Sequence, residues 1–244
     1  MTTQEILQQC IIDGNVVKLP TIQLERKSYI DVAKQLNLIG GKWKGGKIQG
    51  FVFEQDPTEL LKQISNGEQR NLKKEFQFFE TPDELADRLV SLAKINSNKV
   101  ILEPSAGRGA IVKAILRKHP SASVHGYELM DINLTFLNKI DKFYLLGKDF
   151  LTAHTQSYQY IVANPPFSKN QDIDHIRNMY QFLNDGGRLV SIASNHWRDA
   201  VNRKETEFRD WLKDVNAEIH EIECGTFKSS GTLVGACIIV INKN

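Results

Sequence analysis

A chain of 244 residues can bury a substantial core, and its 31 Lys and Arg against 29 Asp and Glu leave a formal net charge of only +2. Any basic surface must therefore come from local clustering. The three cysteines, Cys10, Cys224 and Cys237, form no CxxC pair, so neither a metal site nor a disulfide framework is expected. No apolar run nears the roughly 18 residues of a membrane span and no signal-peptide pattern opens the chain, so no membrane partner and a cytoplasmic location are expected.

The sequence divides near residue 70, at the polar stretch SNGEQRNLKKE (65–75), which reads as a linker. Before it, 1–70 reads as a small basic α+β module. Residues 23–38 place Leu24, Tyr29, Val32, Ala33 and Leu36 on one helical face. GGKWKGGKIQGFVF follows, with paired glycines between two short β-like runs, the signal of a hairpin. A helix over about 57–65 opens on Asp56-Pro57, an N-cap followed by a proline at the first helical position.

From 75 to 244 helices and strands alternate. Thr81, Pro82 and Glu84 predict a capping box for a helix over 82–94. Strand 100–103, a glycine-containing loop, helix 109–118, strand 124–129 and a helix near 131–138 follow. Strands are expected at 143–150 and 160–166, then helix 172–183, a turn at Asp185-Gly186-Gly187 and strand 188–194. Helix 205–214 and strands at about 218–224 and 234–242 close the chain. This order predicts an α/β fold with a doubly wound, mostly parallel sheet of seven strands and helices on both faces. Its ligands should lie at the C-terminal ends of the strands. Cys237, in the apolar run ACIIVI, is expected to be a buried strand residue.

The most specific motif is Asn164-Pro165-Pro166-Phe167, directly after the apolar run YIVA. An exocyclic aromatic amine is a poor nucleophile because its lone pair is delocalised into the ring. A side-chain amide oxygen and a proline carbonyl can accept from both of its N–H groups and localise that lone pair. Two consecutive prolines fix the carbonyl direction, and Phe167 offers a face for stacking. Glu103-Pro104-Ser105-Ala106-Gly107-Arg108-Gly109 lies between strand and helix, where glycines allow positive φ and close approach to a ligand. A GxG alone also fits NAD or phosphate binders, but Val112 stands where the third glycine of the dinucleotide fingerprint belongs. The preceding acid suits a ligand with an ammonium group. Glu128 ends the second strand, where an acid commonly takes ribose hydroxyls. Asp149-Phe150 ends the third, where a carboxylate can accept from an adenine amine.

The order FFETP, EPSAGRG, YELMD, GKDF, NPPF resembles the γ-class N6-adenine DNA methyltransferases over residues 76–244. The resemblance implies a class I methyltransferase fold with S-adenosyl-L-methionine as cofactor. It implies that Thr81 and the loop Glu103, Pro104, Ser105, Ala106, Gly107 and Gly109 bind the methionine end. Glu128 with Leu129 would hold the ribose, Asp149 with Phe150 the adenine, and Asn164 would border the cofactor. Asn164, Pro165, Pro166 and Phe167 would form the catalytic acceptor, with Phe167 stacking on the target base. Cys224-Gly225-Thr226-Phe227-Lys228 resembles the family's late motif, which would make Phe227 a second stacking ring. The implied activity is methyl transfer to the N6 amine of adenine in DNA. RNA bases, protein glutamine amides and a non-catalytic binding subunit are the alternatives.

The sequence departs from the family in having no large target-recognition domain after the catalytic motifs. The N-terminal module is the candidate substitute. Residues 18–47 carry Lys18, Arg26, Lys27, Lys34, Lys42, Lys44 and Lys47 against Glu25 and Asp31. Lys42, Trp43, Lys44 and Lys47 are the expected nucleic-acid contacts, since lysines interleaved with an aromatic suit phosphate and base contact. A solvated hairpin with Trp43 packed on its own helix is the competing reading. The helix at 205–214 balances Arg203, Lys204, Arg209 and Lys213 against Glu205, Glu207, Asp210 and Asp214 and supplies little net field. His196 reads as a loop residue beside the cleft, and Trp197 as either a cleft wall or a cap on the core.

Overall fold

The computed structural model describes residues 1–53, 56–67, 80–96, 99–227 and 235–244. Most of the expected linker, Phe78 and Phe79 of the FFETP motif, and Lys228 lie outside the described residues. The chain forms two compact units, Met1–Gln77 and Phe78–Asn244.

The first unit runs α1 (Thr3–Gln8), β1 (Ile11–Asp13), β2 (Val16–Lys18), α2 (Arg26–Leu38), β3 (Lys42–Lys44), β4 (Gly50–Val52) and α3 (Thr58–Ser65). Its antiparallel strands lie in the order β1-β2-β4-β3. The hairpin expected from the paired glycines is β3–β4, with Trp43 opposite Phe51. Sequence reading did not find α1, which opens on a capping box between Thr2 and Glu5. Helix α3 starts one residue later than expected: Pro57 occupies the cap, and the Asp56 carboxylate accepts from the Thr58 amide at 2.9 Å. On α2, Val32 and Leu36 are buried as expected but Tyr29 is 39% exposed. The core of this unit is small, and it covers the middle of a 13-residue helix rather than its first turn.

The second unit contains α4 (Asp83–Ala93), β5 (Val100–Glu103), α5 (Ala110–Lys118), β6 (Ser123–Tyr127), α6 (Asp131–Leu137), β7 (Phe143–Gly147) and β8 (Tyr158–Ala163). It continues through α7 (Gln171–Gln181), β9 (Leu183–Ser194), α8 (His196–Asp199), α9 (Arg203–Asp214), β10 (Glu218–Glu221) and β11 (Ala236–Asn242). The strand order is β10-β11-β9-β8-β5-β6-β7. Strands β5 to β9 pair in parallel, and β11 runs antiparallel between β9 and β10.

The near-continuous apolar character of the central strands follows from burial on both faces. Along β11, Ile238 and Val240 join the core with Leu89, Val112 and Ile115 of α4 and α5. The alternate residues Cys237, Ile239 and Ile241 join Ile176, Met179, Phe208 and Leu212 of α7 and α9. Cys237 is fully buried, as its apolar run predicted.

Two expectations are corrected by the structure. The capping box of α4 does not form: the cap falls on Pro82, which has no side-chain acceptor, and the Thr81 hydroxyl accepts from Asn164. Helix α7 ends at Gln181, and β9 already begins at Leu183, so the Asp185-Gly186-Gly187 turn lies within that strand. Pairing with β8 skips from Tyr158↔Leu183 to Tyr160↔Arg188, and Gly186 at φ 71 absorbs the irregularity.

Candidate active site

The chain runs outward from β5 through β6 to β7 and then returns to β8 on the opposite side of β5. That reversal opens a crevice beyond the C-terminal ends of β5 and β8, where open α/β sheets bind ligands. The loop after β5 and the turn after β8 border it.

Glu103 ends β5 with 1% of its surface exposed, and its carboxylate accepts from the Ser105 amide at 3.0 Å. Burial pushes its carboxyl up to about 8, against the pull of the Ser105 amide and with a further push from the Glu128 charge. Glu128 follows β6 and is also buried. One of its oxygens accepts from the Gly107 amide at 2.7 Å, the other from the Met130 amide at 2.8 Å and Asn133 Nδ2 at 3.1 Å. Burial raises its pKa, and these three donors oppose that rise. Of the roughly four acceptor positions of a carboxylate, three are thus used within the protein.

Gly107 and Gly109 take φ 54 and φ 82, the left-handed conformations that the loop sequence anticipates. A Cβ at Gly109 would lie 2.4 Å from Ile140 Cδ1, so that side chain would have to shift to admit one. Within the loop Pro104 and Ala106 are buried and Ser105 is half-buried. Leu129 is 57% exposed beside the two acids, an apolar side chain standing in solvent at the crevice. Asp149 is exposed at the end of β7, and its Oδ1 accepts from the Leu151 amide at 2.9 Å.

The acceptor motif follows β8 directly. Asn164, Pro166 and Phe167 are half-buried and Pro165 is buried. Asn164 Nδ2 donates to Thr81 Oγ1 at 2.9 Å, which turns the oxygen of the carboxamide away from Thr81. The structure thus joins Thr81 and Asn164 across 83 positions of sequence.

Two rings expected at the ligand are buried. Phe150 is 1% exposed, packed against Tyr127, His175 and Phe182 at ring-centroid distances of 5.5, 5.8 and 4.9 Å. Phe227 is 3% exposed within the core on the α4–α5 side of the sheet, against which Phe167 also packs. Both are large apolar rings, and the sheet's own core competes for such surfaces.

Sequence reading missed two acids. Asp172, fully buried in the first turn of α7, accepts from the Ser194 amide and hydroxyl at 2.8 and 2.9 Å and ties α7 to the end of β9. Glu205 is 2% exposed, within a helix whose sequence shows only balanced charges. Charged residues in a mixed-charge helix give no local sign of which one a neighbouring helix will cover. Trp197 caps the core against Phe208 at 5.5 Å, and His196 is exposed.

In the N-terminal unit Lys42, Lys44 and Lys47 are exposed. Trp43 is 46% exposed and meets the edge of Phe51 at 5.2 Å, its cross-strand partner rather than its helix. No helix of the described residues is long and apolar enough to cross a membrane.

No family model matches the chain. A curated relative, modification methylase CviBIII of Paramecium bursaria Chlorella virus NC1A, is 29% identical over 120 residues, covering 45% of this chain and 32% of the methylase. The match therefore spans about a third of that protein's length. Among solved structures, the methyltransferase subunit of a type I restriction-modification system from Streptococcus thermophilus superposes at TM-score 0.55 with 16% identity. That superposition covers 68% of this chain and 44% of the subunit. A Listeria monocytogenes chain described as a class I S-adenosylmethionine-dependent methyltransferase gives TM-score 0.55 with 12% identity over 77% of this chain and 67% of its own. TrmN from Thermus thermophilus gives TM-score 0.52 with 18% identity over 66% of this chain and 49% of its own. Strand order, the reversed β11 and these superpositions together identify the second unit's architecture as the class I methyltransferase fold.

Proposed function

We propose that the protein is an S-adenosylmethionine-dependent methyltransferase acting on the exocyclic N6 amine of adenine in DNA. The carrying observation is the Asn164-Pro165-Pro166-Phe167 turn at the C-terminal end of β8, beside the acid-lined loop after β5. The donor set around that loop suits the cofactor. Glu103 is a buried carboxyl with one amide partner named, and a cationic ammonium nearby would return it to its charged form. Glu128 keeps about one acceptor position for a ribose hydroxyl. Leu129 offers an apolar surface for the adenine, with Asp149 at its edge. The bound cofactor supplies an electrophilic methyl group on its sulfonium.

The protein's own residues then position the acceptor. The target base leaves the duplex stack, at a cost of a few kcal/mol. Asn164 Oδ1 and the Pro165 carbonyl accept from the two N–H groups of its amine and direct the nitrogen lone pair at the methyl. Phe167, half-buried, supports the ring from one side. The proton becomes acidic once the nitrogen is methylated, so catalysis rests on positioning and water exclusion. The exposed Lys42, Trp43, Lys44 and Lys47 would hold the backbone of the nucleic acid. The viral modification methylase, similar over 45% of this chain, supports DNA as the acceptor.

Expression in a methylation-free host, followed by modified-base sequencing of its DNA, tests this reading. Wild type should leave N6-methyladenine. Asn164→Ala should lower transfer roughly 30- to 1,000-fold, for a loss of about 2–4 kcal/mol of transition-state stabilisation, with calorimetric cofactor affinity unchanged. Methylated RNA with unmodified DNA would move the acceptor class. Wild-type turnover in Asn164→Ala would overturn the mechanism.

A further inference from the structure

The turn after β8 continues into a backbone that its residues do not favour. Lys169 and Asn170 are consecutive non-glycine residues at φ 52 and φ 58, immediately before α7. In that left-handed region a side chain crowds the backbone, which asparagine tolerates and lysine does not favour. Two such residues in succession persist where the surroundings over-determine them, and strain of this kind gathers at functional turns.

The surroundings can be named. At its start the turn is held by Asn164 Nδ2 donating to Thr81 Oγ1 at 2.9 Å. At its end Asn170 Nδ2 donates to Glu205 Oε1 at 2.6 Å. The same oxygen accepts from Asn202 Nδ2 at 3.3 Å, and His196 Nε2 stands 3.8 Å away. Glu205 Oε2 is buried and, among the described residues, has no hydrogen-bond partner. A buried carboxylate is unfavourable unless its environment compensates. Here the first turn of α9 provides a helix N-terminus, which favours negative charge. Glu207, two residues on, lies exposed on the same helix. Burial of Glu205 is thus specific to the side chain that meets Asn170.

We propose that Glu205 is a positioning residue for the acceptor turn. Through Asn170 it fixes the far end of the segment 164–170, and through Asn202 it joins that segment to the stretch following β9. Asn164 through Phe167 are thereby held between two anchors, Thr81 and Glu205, and the amine acceptors keep one direction. This inference rests on the methyltransferase reading for its catalytic consequence, but the anchoring is measurable without it.

Kinetics and hydrogen exchange on the same proteins test it, using S-adenosylmethionine and duplex DNA from a methylation-free host. Glu205→Ala and Asn170→Gly should each lower kcat by about 10- to 100-fold, the scale expected of a small misplacement, with KM for S-adenosylmethionine unchanged. Amides at 167–170 should exchange faster in both. Glu205→Gln keeps an oxygen for Asn170 and should restore kcat to within a few-fold and exchange to the wild-type rate. Asn170→Gly places glycine at positive φ, which offsets part of the lost hydrogen bond, so a cooperative melt with Tm within a few degrees of wild type separates loss of the anchor from loss of the fold. Wild-type exchange in both Glu205→Ala and Asn170→Gly overturns the anchor. Wild-type kcat in Asn170→Gly overturns its catalytic role. Should Glu205→Ala not fold, Asn170→Gly and Glu205→Gln decide. Absence of methyl transfer in the wild type would defeat the methyltransferase reading, and the exchange comparison would still decide the anchor.

Discussion

The loop after β5 and the turn after β8 border one crevice, yet different kinds of bond hold them. In the first, backbone amides of Ser105, Gly107 and Met130 donate to two buried acids. Asn133 Nδ2 adds one side-chain donor, but backbone amides are present whatever the residue, so the loop needs little beyond two carboxylates and glycines that can turn. In the second, the named anchors join side chain to side chain across 83 and 35 positions of sequence, Asn164 to Thr81 and Asn170 to Glu205. That turn depends on particular residues far along the chain. The cofactor side of the proposed site is therefore built from backbone donors at two adjoining strand ends, up to 21 positions apart, and the acceptor side from side chains that the fold brings together.

The local construction is most severely tested at Gly109. A valine there would carry a Cβ 2.4 Å from Ile140 Cδ1 at φ 82. Strain and overpacking together should lower stability by about 2–5 kcal/mol, read as a fall in the urea midpoint. An unchanged midpoint would mean that the helix start can move away.

Protonation tests the same side. Glu103 has its folded pKa raised to about 8, from 4.5. Between those values the folded state holds more protons than the unfolded, so stability falls as pH rises through that window. Glu128, also raised by burial, acts in the same direction. The contribution from Glu103 is on the order of a few kcal/mol, and Glu103→Gln should flatten the decline between about pH 5 and pH 8 in urea titrations. Cofactor affinity should rise over the same interval, because binding an ammonium returns the carboxyl to its charged form. A pH-independent affinity would place the ammonium elsewhere.

Thr81→Val probes the acceptor side more gently. It removes the hydroxyl that receives Asn164 Nδ2 and keeps the volume. A loss of about 1 kcal/mol should appear as a roughly five-fold drop in kcat. A larger effect on cofactor KM than on kcat would instead assign Thr81 to the cofactor, the role that the family resemblance implies.

The smallest effects belong to the N-terminal hairpin. Replacing Lys42, Lys44 and Lys47 together should weaken nucleic-acid binding and reduce its log–log salt slope by about 0.7–0.9 for each phosphate no longer neutralised. Cofactor affinity should not change. A wild-type slope in the triple variant would make the hairpin a solvated surface.

The alternation of helices and strands, the β3–β4 hairpin and the loop glycines at positive φ were all legible in the amino-acid sequence. Each of these is written in short-range pattern: period, turn chemistry and the residue types that tolerate a left-handed backbone. The same pattern placed Glu103, Glu128, Asp149 and Asn164 at strand ends, because position relative to a strand is local. Which side chains those ends would meet was settled by packing alone. Thr81 predicted a helix cap and bonds Asn164; Phe150 and Phe227, expected at the ligand, are packed among core residues. Glu205 reads in sequence as one member of a charge-balanced helix and is buried against Asn170. In each case the local signal names a side chain's chemistry but not its partner. A partner 35 or 83 positions away becomes a neighbour only when helices and sheet have packed.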